Sequence, residues 1–119
     1  MPHGKKWKRK QVKLLLKSSK QIISLLESLG VPCAFMVHSS APTLPFISYT
    51  IETEAIKSDN QVYVEIEYLT AQIISNKREF LLERKMKDLL NANKIIWTYD
   101  TTNYDQEEKI FLTQYTIGG

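Results

Sequence analysis

In the first quarter of the chain Val12, Leu15, Leu16, Ile22, Ile23, Leu26 and Leu29 recur at spacings of three and four, the stripe of an amphipathic helix. Gly30 and Pro32 close that pattern, so it predicts a helix from about Lys8 to Leu29 whose stripe lies on a sheet. Beyond it the period changes to two. CAFMVHSS (33–40) reads as a first strand, and SAPTLP as a loop, because Pro42 and Pro45 lack a donor N–H and hold the preceding residues extended. In PFISYTIETE, Ile47, Tyr49 and Ile51 alternate with Ser48, Thr50 and Glu52, which predicts a strand with one wet face.

Ser58, Asp59 and Asn60 supply turn chemistry before the longest β signal, QVYVEIEYLTAQIIS. Val62, Val64, Ile66 and Tyr68 form its first apolar series and Leu69, Ala71 and Ile73 its second, so the phase slips by one near Tyr68 and Leu69. Either a bulge or a cover gained on the other face of the second half produces such a slip. NKREFLLERKMKDLLNANK reads as a second helix, with Leu82, Met86, Leu89 and Leu90 on one side and Asn91 and Asn93 as terminators. IIWTYD and EEKIFLTQYTI, separated by polar TTNYDQ, read as a closing hairpin. The order α-β-β-β-α-β-β defines the expected fold: one α+β domain over 1–119, a largely antiparallel sheet with two main helices packed against it, entered through a basic arm at 1–8.

Composition changes little in this picture, but charge does. The chain has 119 residues, 43% of them apolar and 24% charged, enough for one self-sufficient core. Its net charge of +3 is unevenly spread. Residues 1–20 hold Lys5, Lys6, Lys8, Arg9, Lys10, Lys13, Lys17 and Lys20 and no acid, while every Asp and Glu lies beyond them. Such asymmetry suits a polyanion partner or charge-complementary self-association. Cys33 is the only cysteine, so no intrachain disulfide forms, and a reducing cytosol fits. Lys17 and Lys20 interrupt the apolar run at Leu14–Leu16, which predicts neither an export signal nor a membrane span.

Catalytic chemistry is poorly represented. His38 beside Ser39 and Ser40 resembles a base near a nucleophile, but neighbours on a strand point to opposite faces. The four glycines form no phosphate-cradling loop, and His3 and His38 are too far apart in sequence to start a metal-ligand motif. Asp59 with Glu65 and Glu67 offers carboxylates such as a metal-dependent nuclease uses. The lysine expected two residues beyond such a glutamate is missing, and the plainer alternative is a wet strand face, or one paired with lysines of a neighbouring subunit. No cofactor or metal is expected.

The basic arm has three readings. Clustered Lys and Arg with Trp7 among them suit non-specific phosphate contact and base stacking, although no recognition motif follows. Membrane-surface binding asks for a broader apolar face than the core stripe leaves. The third is a solvated helix start. Tyr63, Glu65 and Glu67, with the aromatics Trp97, Tyr99, Tyr104, Phe111 and Tyr115, suit a subunit interface, while the same aromatics also suit a core.

The succession VPCAF…APTLPFISYTIETEAIKSDNQVYVEIEYLTAQIIS, a helix, and then IIWTYDTTNYDQEEKIFLTQYTI resembles the small tail terminator and head–tail joining proteins of long-tailed phages and prophages of Gram-positive bacteria. LPFISY (44–49) is similar to that family's proline-led strand entry. SDNQVYVEIEYL (58–69) resembles its "ADN-x-VY" strand start, and EEKIFLTQYTI (107–117) its closing strand. The resemblance spans roughly residues 22–117, so the lysine-rich opening lies outside it. It implies a structural protein rather than an enzyme, forming a ring, usually hexameric, that caps the tail-tube protein and meets the head connector or completion protein. It implies a place in the virion neck, assembly in the host bacterial cytoplasm, and DNA passing through the lumen. On it, residues 5–20 line the lumen or the head-proximal rim, and Tyr63, Glu65 and Glu67 face a neighbouring copy. A basic-armed nucleic-acid-binding module is the alternative, and a metal-dependent nuclease the third.

Overall fold

The structure, a computed structural model, describes residues 18–36, 42–57 and 63–118, with the backbone alone at 56, 57, 63 and 64. Among them the expected α+β domain is present: a five-stranded sheet in the order β1-β2-β3-β5-β4, with two helices packed against it. The elements are α1 (Ser19–Glu27), β1 (Cys33–Phe35), β2 (Phe46–Lys57), β3 (Tyr63–Ser75), α2 (Phe80–Ala92), β4 (Trp97–Asp105) and β5 (Ile110–Gly118). β1 runs parallel to β2, and all other pairings are antiparallel.

The first helix is shorter than its apolar stripe predicts. Ser18 is extended (φ −74°, ψ 158°), so no single helix runs from Lys8 to Leu29; α1 begins at Ser19. The cause is local. The Gln21 backbone N–H donates to Ser18 Oγ at 3.2 Å while the Ser18 N–H donates to Gln21 Oε1 at 2.9 Å, a reciprocal capping box. Serine at that position satisfies helix-end donors better than it continues a helix. The part of the stripe at Val12, Leu15 and Leu16 lies outside the described residues.

β1 is likewise shorter than predicted, because Met36 takes a positive φ of 43° and ends the ladder; 37–40 lie outside the described residues. The hairpin differs in the opposite sense. TTNYD, expected as loop, is strand, and the turn falls at 106–109. Asp105 makes that turn: its Oδ1 accepts from the N–H groups of Glu107 (2.9 Å) and Glu108 (3.2 Å). A bulge at Asp100 takes up the extra residue, since Tyr99 pairs with Tyr115 and Thr101 with Gln114.

The phase slip in β3 comes from a change of cover. The β2–β3 and β3–β5 registers run without interruption, so Glu65, Glu67, Leu69, Ala71 and Ile73 all share one face. The helices cover only the later part of it. There Leu69, Ala71 and Ile73 meet Ile22 and Leu26 of α1, Leu82, Met86 and Leu90 of α2, and Ile47, Tyr115 and Ile117 of the neighbouring strands. Each such side chain, fully buried, contributes roughly 1.5–3 kcal/mol.

Candidate interaction surface

β2 and β3 outrun the rest of the sheet. β1 reaches only Tyr49 on one side and β5 only Tyr68 on the other, so among the described residues Ile51–Lys57 pair with β3 alone and Tyr63–Glu67 with β2 alone. This ribbon is about 20 Å long at strand rise. Among the described residues no further strand pairs with either of its outer edges. All described side chains over 51–55 are exposed, as are Glu65 and Glu67, with Ile51 41% accessible.

The ribbon is acidic on both faces. Glu52 and Glu54 lie on the face away from the helices, and Glu65 and Glu67 on the helix side. Lys57 is the single cation in the sequence of either strand. Glu67 has an internal role as well: its Oε1 accepts from the backbone N–H of Ser19 at 3.2 Å, placing a carboxylate at the start of α1. The sequence places Glu65 and Glu67 on one face correctly, but their shared role with Asp59 stays open because Asp59 lies outside the described residues. No group of three or more His, Cys, Asp or Glu among the described residues is placed to hold a metal ion.

At the opposite end of β3 the chain turns into α2, which presents a different surface. Phe80 (65% accessible) and Leu81 (78%) stand exposed on its first turn, with Arg84 and Lys85 one turn further on. From Lys77 to Asp88, outside the Arg78–Glu83 ion pair, four cations (Lys77, Arg84, Lys85, Lys87) face two carboxylates (Glu79, Asp88). A shallow depression of about 370 Å³ lies alongside, between α2 and Trp97, whose indole N–H donates to Asn91 Oδ1 at 2.8 Å. Sequence reasoning missed this apolar-basic patch; Phe80 and Leu81, off the stripe of Leu82, Met86 and Leu90, were its signal.

Beneath the patch α2 is fixed to the sheet by a buried carboxylate that the sequence reading also missed. Glu83 is 4% accessible, its Oε1 accepts from the Tyr115 hydroxyl at 2.8 Å, and Arg78 pairs with it at 3.2 Å. Burial, then the hydrogen bond and charge of Glu83, push the Tyr115 phenol well above its ordinary value. Trp97 and Tyr99 pack edge-on against Tyr115, with ring centroids 5.9 and 5.5 Å away. The hairpin aromatics therefore divide. Tyr115 is core, Trp97 is partly covered, and Tyr99 and Tyr104 are about half exposed.

The sheet face away from the helices carries rows of polar side chains. Thr50, Thr70, Thr116 and Thr98 follow one another across β2, β3, β5 and β4, and Ser48, Gln72, Gln114 and Thr101 form the next row. Asp100 Oδ2, carried to that face by the bulge, accepts from Gln114 (3.0 Å) and Thr116 (2.7 Å). The arrangement cross-links β4 and β5 and explains why polar residues sit mid-strand in β3 and β5.

Of the basic residues singled out in the sequence, Lys20 is described, exposed on α1; Lys5, Lys6, Lys8, Arg9, Lys10, Lys13 and Lys17 lie outside the described residues. So do His38, Ser39 and Ser40. Tyr63 is placed by its backbone at the start of β3. Burial, with a smaller contribution from Glu27, pushes the Cys33 thiol up to about 11, so little thiolate is present near neutrality. No helix among the described residues is long and apolar enough to cross a membrane. No protein-family model matches the chain, and no curated protein matches its sequence.

Proposed function

We propose that this protein is a structural subunit of a long-tailed phage or prophage: a tail terminator or head–tail joining protein that closes into a ring, usually hexameric in such proteins, on the last ring of tail-tube protein. The ring stops further tube growth and offers its other side to the head connector or completion protein. DNA passes through its lumen. The observation that carries this reading is the β2–β3 ribbon, a two-stranded extension with no further strand beside it among the described residues, on an α+β body whose element order is that expected from the resemblance. A two-stranded ribbon is at best marginally stable alone in water, so it gains most from a neighbouring chain. Repeated head-to-tail contacts between identical copies close into a ring when their rotation permits.

The test is to add the purified chain to polymerising tail-tube protein and measure tube lengths and ends by negative-stain electron microscopy. A capping protein halts elongation and leaves a terminal ring; tubes that grow unchanged sink the reading. Replacing Lys8, Arg9, Lys10 and Lys13 by Gln should leave folding and ring formation intact and impair head joining or DNA passage. Loss of the fold would instead assign those residues to the core architecture.

A further inference from the structure

We infer that the basic segment at the start of the chain, residues 5–17, docks in the same chain on the helix-side face of the β2–β3 ribbon, its apolar residues against Ile51 and Ala55 and its lysines beside Glu65 and Glu67. The segment lies outside the described residues, and the inference stands apart from the ring reading. It is carried by the place where the segment joins the body, by the make-up of the ribbon face and by the charge of α2.

The junction is fixed. Lys17 leads into α1 through Ser18, and the Ser19 N–H donates to Glu67 Oε1 at 3.2 Å, on the helix side of the ribbon's base. From there α1 runs away from the ribbon. The chain beyond it returns at Pro32, whose carbonyl accepts from the Ile47 N–H at 2.8 Å, and Ile47 pairs with Ile73, six residues past Glu67 along β3. The N-terminal end of α1 therefore faces the ribbon. Reach is ample, because the thirteen residues 5–17 cover about 20 Å at helical rise and about 43 Å when extended, against a ribbon of about 20 Å.

The face matches that segment in polarity and charge. Ile51, Thr53 and Ala55 pair with Leu69, Glu67 and Glu65, so these side chains share the helix side of the sheet. Ile51 is 41% accessible, and Ala55, Glu65 and Glu67 are exposed. Residues 5–17 hold seven cations and no acid, and Val12, Leu15 and Leu16 among them continue the apolar series that Ile22 and Leu26 lay on Leu69, the partner of Ile51. Exposed ion pairs are worth little, so the apolar contact supplies most of the affinity and the charges select the place. They select against α2, where four cations face two carboxylates outside the Arg78–Glu83 pair. A cover on the face leaves the ribbon's edges to a neighbouring chain.

Limited trypsin cleavage of the full chain at low salt tests the docking. Trypsin cuts after lysine and arginine, and when reclosing is fast its rate follows the undocked population. Ile51→Ser and Leu16→Ser, each verified as folded by circular dichroism, should raise the initial cleavage rate within residues 5–17 by about tenfold, since each removes a large apolar contact and leaves every cleavage site in place. Glu65→Lys should raise it as well, and that difference should vanish near about 0.5 M salt. Carbodiimide coupling of an equimolar mixture of ordinary and isotope-labelled chain locates the contact: amide links from Lys13 or Lys17 to Glu65 or Glu67 should join peptides of a single isotope.

Unchanged cleavage in both Ile51→Ser and Leu16→Ser overturns the inference, as do links that fall on Glu79 or Asp88 of the α2 region instead of the ribbon. Links joining ordinary to labelled peptides overturn it too, and give the face to a second copy. Tube capping is measured separately, so the ring reading and the docked segment can fail independently.

Discussion

Glu83 and Tyr115 show how one pair of side chains fixes an element. The carboxylate sits on the buried side of α2 and is satisfied by a phenol from β5 and a guanidinium from Arg78, which is itself partly exposed. Tyr115→Phe removes one donor and leaves Arg78 in place, so the expected loss is modest, about 1–2 kcal/mol by chemical denaturation at pH 7. The pH dependence gives a second reading. Because the folded-state phenol titrates above its unfolded value of about 10, its contribution is complete below that pH and disappears as pH rises toward the folded value. Wild type should therefore lose stability above about pH 10 more steeply than Tyr115→Phe, as denaturation midpoints at pH 8 and pH 10.5 would reveal.

At the scale of elements, short-range chemistry decides where each one stops. Ser18 sets the start of α1, so Ser18→Ala should cost about 1 kcal/mol, measured as a lowered urea midpoint with an unchanged slope. An unchanged midpoint would mean that packing of Ile22 and Leu26 alone holds the helix start. The end of α2 is similarly local: Asn93 Nδ2 donates to the Leu89 carbonyl at 2.9 Å, and Lys94 follows with a positive φ of 57°. The prediction of Asn93 as a terminator is borne out by that contact. TTNYD was misread because its threonines and asparagine resemble loop chemistry. In the sheet they occupy an edge strand, where one side of the backbone is free to solvent and polar side chains cost little.

The whole molecule has a compact half and an extended half. Leu69–Ile74 is paired on both sides and covered by helices, while among the described residues each strand of the ribbon beyond it has one partner strand and no helix over it. Hydrogen exchange should resolve the two halves: in the isolated chain amides of Ile51–Lys57 and Tyr63–Glu67 exchange much faster than those of Leu69–Ile73. On assembly into a ring the ribbon amides should become protected, whereas equal rates before and after assembly would remove the ribbon from the subunit interface. The charge asymmetry belongs to this scale as well. Association that depends on opposite charges weakens as salt shortens the screening length, so the assembled mass should fall between about 0.05 and 0.5 M salt.

The alternation of residues 46–51, the stripe of Leu82, Met86 and Leu90, and the apolar close of β5 were legible in the sequence because each is a short-range pattern with the period of its element. They determined the element order and the fold class. Tertiary structure alone decided what covers each face. It made the phase slip in β3 a boundary between a helix-covered segment and an open ribbon, and it placed Glu83 against a tyrosine 32 residues away. It also separated the acidic ribbon from the α2 patch by the length of a strand. Periodicity reports which side of an element a residue occupies, whereas burial and partnership depend on neighbours brought together only by the folded chain.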